Sequence, residues 1–237
     1  MRLKIPIPST MPATPLAIAL AIALAIVLSV TLTGCMTTRV EETKNTATGI
    51  RADERIVILE ASYHAGNETE DEFVDCVSKS VQKGRSGLNV YPDEQFIDVM
   101  FPWFEPRTMP RGPEALPALF ERPGLTERLE DSGVRYIIWV TGDTEKSASG
   151  GSLSCAIAPG GGGCFGLAWW EDDSSYKAAI WDIREGKSAG EVSADVHGTS
   201  VIPAVIIPVP IIARTKSAAC KGLAKELQSF ITDEGPL

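Results

Sequence analysis

The chain has 237 residues, of which 44% are hydrophobic and 22% charged, with 31 acidic against 22 basic side chains and a net charge of −9. A surface this acidic argues against sequence-independent binding to nucleic acid or to anionic lipid, both of which need basic patches. The length and apolar content allow one domain with a core of its own, and no internal repeat is present.

Arg2 and Lys4 open the chain and are its only charges before Cys35; an uncharged apolar run follows from Leu16 to Leu32, and Leu32-Thr33-Gly34-Cys35 ends it. A basic start, an apolar stretch and small residues before a cut are the order export requires. The run of about 17 residues lies near the lower limit for a spanning helix, but a bare anchor helix needs no Leu-Thr-Gly-Cys at its end. Residues 1–34 resemble a bacterial lipoprotein signal peptide with its lipobox. That resemblance implies cleavage before Cys35 and acylation of its sulfur, an anchor that several buried acyl chains make effectively permanent. Met36 follows the cysteine where inner-membrane retention commonly uses Asp, which points to the outer membrane and its periplasmic face. Loss of Arg2 and Lys4 takes the net charge from −9 to −11.

Residues 35–54 are polar, rich in Thr, Glu and Lys, and without apolar periodicity, so they read as a lipidated cysteine and a flexible tether. Residues 55–237 then form a single domain. Ile56 to Leu59 is too short and too β-branched for a helix and reads as a buried strand. A helix follows, with Thr69 and Glu72 spaced as a capping box and a stripe of Phe73, Cys76, Val77, Ser80 and Val81. Leu88 to Tyr91 is a second short strand, and Asp93 to Met100 a helical turn or two. Six prolines between Phe101 and Pro123 exclude helix from most of that stretch. A short helix from Leu125 to Asp131 leads to a strand from Val134 to Thr141.

Three further strands, Phe165 to Trp170, Ser175 to Ile183 and Glu191 to His197, are separated by the turn signals Asp172 to Ser174 and Glu185 to Lys187, an antiparallel meander. Val201 to Ala213 is apolar apart from its three prolines, and fits a core loop, a partner surface or a membrane contact. A last helix is capped at Thr215 and has the face Ala219, Cys220, Leu223, Leu227, Phe230 and Ile231. The expected fold is α/β, a mixed sheet of about five or six strands with a C-terminal antiparallel meander and helices packed on one face.

Setting Cys35 aside leaves four cysteines, an even number that suits disulfides in an oxidising compartment. Cys155 and Cys164 flank the glycine-rich turn from Pro159 to Gly163 and are the expected pair, leaving Cys76 with Cys220; buried free thiols are the alternative for that second pair. His64 and His197 stand far apart without metal-ligand spacing, and Asp172 and Asp173 sit where aspartate favours turns. Gly160 to Gly163 lack the Lys-Ser or Lys-Thr of a phosphate loop, and no Gly-x-Ser-x-Gly elbow occurs. Neither catalysis nor a metal or other cofactor is therefore expected. Large aromatics in irregular segments, Trp103, Phe104, Trp169 and Trp170, together with Ile206 and Ile207, are the candidate partner surface.

The element order, the Ile180 to Gly190 hairpin and the terminal Ala219 to Leu227 helix resemble the periplasmic domain shared by curli-secretion lipoproteins, lipoprotein activators of penicillin-binding proteins and the amino-terminal domain of the Tol translocation protein. The resemblance covers about residues 55–232. It implies a non-catalytic binding or assembly domain acting on an envelope protein. In the curli-secretion group, insertions equivalent to Asp143–Trp170 and Gly198–Thr215 form membrane hairpins of an oligomeric pore. Val201 to Ala213 is too short and proline-broken for such a hairpin, so a pore is disfavoured. A subunit of an oligomeric secretion or channel complex, with homo-oligomerisation, is one alternative; an envelope hydrolase is another.

Overall fold

Two runs of β-branched and aromatic residues, Ile56 to Leu59 and Tyr136 to Val140, lie side by side at the centre of a sheet covered on both faces, and nearly every side chain in them is fully buried. In the computed structural model, residues 36–60, 69–83, 86–104, 110 and 113–233 are described; the export segment 1–34, Cys35 and His64 lie outside them. The described chain from Met36 falls in one compact unit.

Strands β1 (Met36–Lys44), β2 (Arg55–Glu60), β3 (Val90–Tyr91), β4 (Val134–Ala158), β5 (Gly161–Asp182) and β6 (Lys187–Pro208) form one mixed sheet in the order β1-β6-β5-β4-β2-β3. β2 runs parallel to both β3 and β4, while β4, β5, β6 and β1 pair antiparallel. The described helices are α1 (Asp71–Val81), α2 (Asp93–Val99), α3 (Leu116–Phe120) with a 3-10 turn before it, α4 (Leu125–Ser132) and α5 (Thr215–Thr232). The fold is the expected α/β architecture, with the antiparallel meander at its C-terminal side.

Helices cover both faces of the sheet, not one. Period-two alternation in β2 and β4 sends Ile56, Ile58, Tyr136, Ile138 and Val140 to a core under α1 and α5, where Phe73 stacks on Tyr176 with ring centroids 3.4 Å apart. The intervening Val57, Leu59, Ile137 and Trp139 enter a second core with Phe96, Met100, Phe104, Leu116, Leu125 and Leu129. These partners come from α2, α3, α4 and the segment before α3, each too short to display a convincing helical stripe in sequence. The apolar positions of α5 recur at three and four residues, and Ala219, Cys220, Leu223, Leu227, Phe230 and Ile231 are all buried.

Residues 36–54 are not a flexible tether. Met36–Lys44 forms the edge strand β1, which satisfies the outer backbone groups of β6 in a continuous register from Met36↔Gly198 to Lys44↔Gly190. Val40 lies within 3.2 Å of where a Cβ on Gly222 of α5 would stand. Beyond β1, Tyr136 Oη donates to the Gly49 carbonyl at 2.9 Å and Thr48 Oγ1 donates to the Phe230 carbonyl. An edge strand with polar side chains on both faces has no buried stripe to betray it.

Thr69 does not cap α1: the N-cap is Glu70, and Thr69 Oγ1 reaches the Val140 carbonyl instead. Thr215 is the first residue of α5 rather than its cap, and its hydroxyl accepts from Ser174 at 2.9 Å.

Candidate functional site

Strands β4, β5 and β6 are 25, 22 and 22 residues long, far longer than the core needs. The turn signal Asp172 to Ser174 lies inside continuous β5, because those side chains find partners on neighbouring strands: Asp173 hydrogen-bonds His197 on β6, and Ser174 meets Thr144 on β4 at 2.8 Å, while Asp172 Oδ2 accepts from Trp170 Nε1 of the same strand at 2.9 Å. β6 likewise runs through Pro203 to Pro208. Pro203 pairs in register with Leu167, and its carbonyl accepts from Val209 N at 3.0 Å on the outer edge, where a missing N–H costs least. The segment from Val201 to Ala213 is thus mostly strand, with Ile211 turning back to bridge Val201.

The three strands divide into an inner half, sandwiched between helix layers, and an outer half that projects past them. A belt of charged residues marks the division: Glu145 and Lys146 on β4, Glu171, Asp172 and Asp173 on β5, and His197 on β6, in adjacent registers. Lys146 Nζ sits 5.7 Å from the ring centroid of Trp170, and His197 Nδ1 hydrogen-bonds Asp173. That hydrogen bond raises the His197 pKa and lowers that of Asp173.

Beyond the belt, residues 147–170 and 198–213 contain no Asp, Glu, Lys, Arg or His. Large apolar side chains there stand in the open: Ile157 is 95% exposed, Phe165 74%, Val205 74% and Ile207 71%, with Leu167, Ile206, Val209 and Ile212 also exposed. Both faces are apolar. Register places Phe165, Leu167, Trp169, Val201 and Val205 on one face and Ile157, Leu153, Trp170, Ile202 and Ile206 on the other. Pro159 and Gly160 turn the β4–β5 hairpin at its tip, and the Cys155–Cys164 disulfide cross-links paired residues with Cα atoms 4.0 Å apart. Gly151 and Gly166 adopt φ of +85° and +138°, and a Cβ at either would come within 2.2 Å of a carbonyl oxygen on the paired strand, so only glycine lets the hairpin close here.

A hydrogen-bonded network roots this outer half in the core. Tyr176 Oη donates to Glu70 at 2.6 Å and meets Thr144 at 2.9 Å, while Lys216 Nζ holds the other Glu70 oxygen at 3.0 Å. Burial, then the bond to the Glu70 carboxylate, pushes the Tyr176 phenol well above its ordinary value. Burial alone would raise Glu70, but the hydrogen bonds from Tyr176 and Lys216 outweigh it and hold that carboxyl below the usual range. The second disulfide, Cys76–Cys220, ties α1 to α5 just behind this network.

The candidate partner residues therefore separate. Trp169, Trp170, Ile206 and Ile207 belong to the outer half. Phe104 is fully buried in the second core, and Trp103 packs half-buried against it with Arg128 5.8 Å from its ring, so neither joins that surface. Sequence reasoning by strand pattern missed Ile157, Phe165, Leu167, Val205, Val209 and Ile212; the shared absence of charge in residues 147–170 and 198–213 is the signal that finds them.

Elsewhere, a cleft of about 590 Å³ beside β2 and α1 gathers Glu60, Asp71, Asp75, Asp93 and Glu94. Burial, then the hydrogen bond and charge of Asp71, raise Glu60 to about 7. Among the described residues no three His, Cys, Asp or Glu side chains are grouped to hold a metal, and no described helix is long and apolar enough to cross a membrane.

The chain matches no family model and no curated protein. Two solved structures of the PelC dodecamer from Paraburkholderia phytofirmans, one of a single-substitution variant, are similar to it at 14% and 12% identity. Each covers 83% of this chain and 99% of its own, with a TM-score of 0.37. A likeness this distant bears on no residue of the site.

Proposed function

We propose that this chain is a lipid-anchored protein of the cell envelope, held at the periplasmic face of the outer membrane through Cys35, that acts without catalysis as an attachment and assembly domain. One observation carries the reading: the outer half of β4–β6 exposes apolar side chains on both faces and bears no charge, which a chain in water leaves uncovered only where something in its working environment covers it. The lipobox supplies the address. The two disulfides support an oxidising compartment.

A photoactivatable residue at position 165 or 205, irradiated in intact cells, tests this. Adducts to an envelope component, protein or lipid, absent from the same residue at position 177, are expected; no adduct from either outer position overturns the proposal. Homo-oligomerisation within a secretion or channel complex is the second reading. It is favoured by the edge of β4, which among the described residues has no neighbour after the Glu60↔Val140 pair and so offers backbone groups to another chain. Light scattering on detergent-extracted protein reads it: a ring of many copies supports it, a monomer removes it.

A further inference from the structure

We infer that the outer half of β4–β6 is embedded in the same bilayer that holds the lipid on Cys35, obliquely, with the β5–β6 side deep and the β4 edge shallow. This rests on the reading of the outer half as an attachment surface and names lipid as what it attaches to.

The position of β1 carries the inference. Its first residue, Met36, pairs with Gly198, and Gly198 pairs with Asp172 in the charged belt. Consecutive Cα atoms stand about 3.8 Å apart, so an acyl anchor on Cys35 leaves the fold at the level where the charged side chains end. Two independent markers, the end of charge on three strands and the start of the chain that bears the lipid, coincide. Trp169 and Trp170 lie just outside the belt, at the depth where indoles favour a membrane–water interface. From Trp170 to Gly161 the strand extends about 30 Å at about 3.3 Å per residue, comparable with a hydrocarbon core of about 30 Å.

The side chains also decide how the sheet enters. A strand lining an aqueous pore alternates apolar and polar faces, whereas both faces here are apolar, which suits lipid on both sides and disfavours a water-filled lumen. Backbone groups in hydrocarbon need partners. On the β6 edge, Val201 exchanges two 2.8 Å hydrogen bonds with Ile211, and Pro203 has no N–H to leave unpaired. Among the described residues the β4 edge beyond Val140 has no neighbour, and it carries Ser147, Ser149, Ser152 and Ser154, so it stays near the headgroups. Apart from Ile157 at the hairpin tip, the large exposed apolar side chains gather on β5 and β6 and the segment after them, at Phe165, Leu167, Val205, Ile207 and Val209. With a net charge of −11 once Arg2 and Lys4 are lost, the attraction is not electrostatic, and insertion does not require anionic lipid.

The lipidated chain is reconstituted into phosphatidylcholine vesicles with brominated acyl chains, carrying a nitrobenzoxadiazole probe on a thiol introduced by Val205→Cys, Ser152→Cys or Lys177→Cys. Bromine quenching several-fold stronger at position 205 than at 177, with 152 between them and no loss in high salt, is expected. Quenching at 205 no stronger than at 177 overturns the inference, and equal quenching at 152 and 205 overturns the oblique seating. The double variant Val205→Asp/Ile207→Asp, probed at Phe165→Cys, abolishes quenching while circular dichroism and both disulfides persist; unchanged quenching counts against the inference. If position 205 crosslinks to protein in cells and is unquenched in vesicles, the lipid assignment falls while the attachment reading stands. Absence of both signals removes both.

Discussion

The inner and outer halves of β4, β5 and β6 are the same three strands continued past the helices, yet they obey opposite rules. In the inner half alternate residues enter two cores, and the buried carboxylate is paired: Asp182, wholly buried, meets Arg135 Nη2 at 2.6 Å. In the outer half apolar residues occupy both faces and no described helix covers either. The inner half is held by its contents and the outer half by its backbone ladder, one disulfide and its root at Glu70, Thr144 and Tyr176. Stability therefore resides in the first and the proposed attachment in the second, so each should be breakable without the other.

The largest effect belongs to the inner half. Phe73 is fully buried and stacked on Tyr176, and Phe73→Ala is expected to cost about 3–5 kcal/mol in denaturant unfolding, enough to endanger the fold. The disulfides extend the contrast. Cys76–Cys220 closes a separation of 144 residues between two core helices, and its removal by Cys76→Ala with Cys220→Ala is expected to cost about 2–5 kcal/mol globally. Cys155–Cys164 spans nine residues within one hairpin, so its loss raises amide exchange near the tip and leaves the global midpoint in place. A global loss from both would show that the halves unfold as one.

The sequence revealed the inner half well because burial leaves a periodic record. Ile56 to Leu59, Tyr136 to Val140 and the stripe of α5 each carry the period of their element, and the four cysteines could be paired from the hairpin that Cys155 and Cys164 enclose. It hid what lacks such a record. β1 has no buried stripe, so Met36–Lys44 looked like a linker, and the short helices of the second core left Phe104 looking like a surface aromatic. Asp172 to Ser174 and Pro203 are turn formers by intrinsic preference, overruled by cross-strand partners. The outer half was concealed because period is the wrong measure for it: two uncharged segments distant in sequence become one surface only when paired.

Glu60 gives a smaller effect that reads the inner half alone. Its carboxyl is raised to about 7, so between its ordinary value of 4.5 and 7 the folded chain holds a proton the unfolded chain has released. Stability from this group is fully present below about 4.5 and is lost as pH rises through 7. Glu60→Gln removes that loss, and because Glu60 is only partly buried the gain at pH 8 is expected to be on the order of 1 kcal/mol or less. Unfolding midpoints of the two proteins should therefore diverge with rising pH; divergence with falling pH contradicts the assignment.

The smallest expected effect on stability is the most discriminating. Phe165 is 74% exposed in the outer half, and Phe165→Ser removes an apolar side chain without leaving a cavity, so the denaturation midpoint should move by no more than about 0.5 kcal/mol. The same change made at Phe96 or Phe104, both fully buried, should cost several kcal/mol by cavity formation. Phe165→Ser should also lower the detergent needed to keep the purified chain dispersed, since it removes part of what the outer half presents to its surroundings. A loss at position 165 as large as that at 104 would mean that the outer half packs on the core after all, and that the exposed apolar surface is not an attachment site.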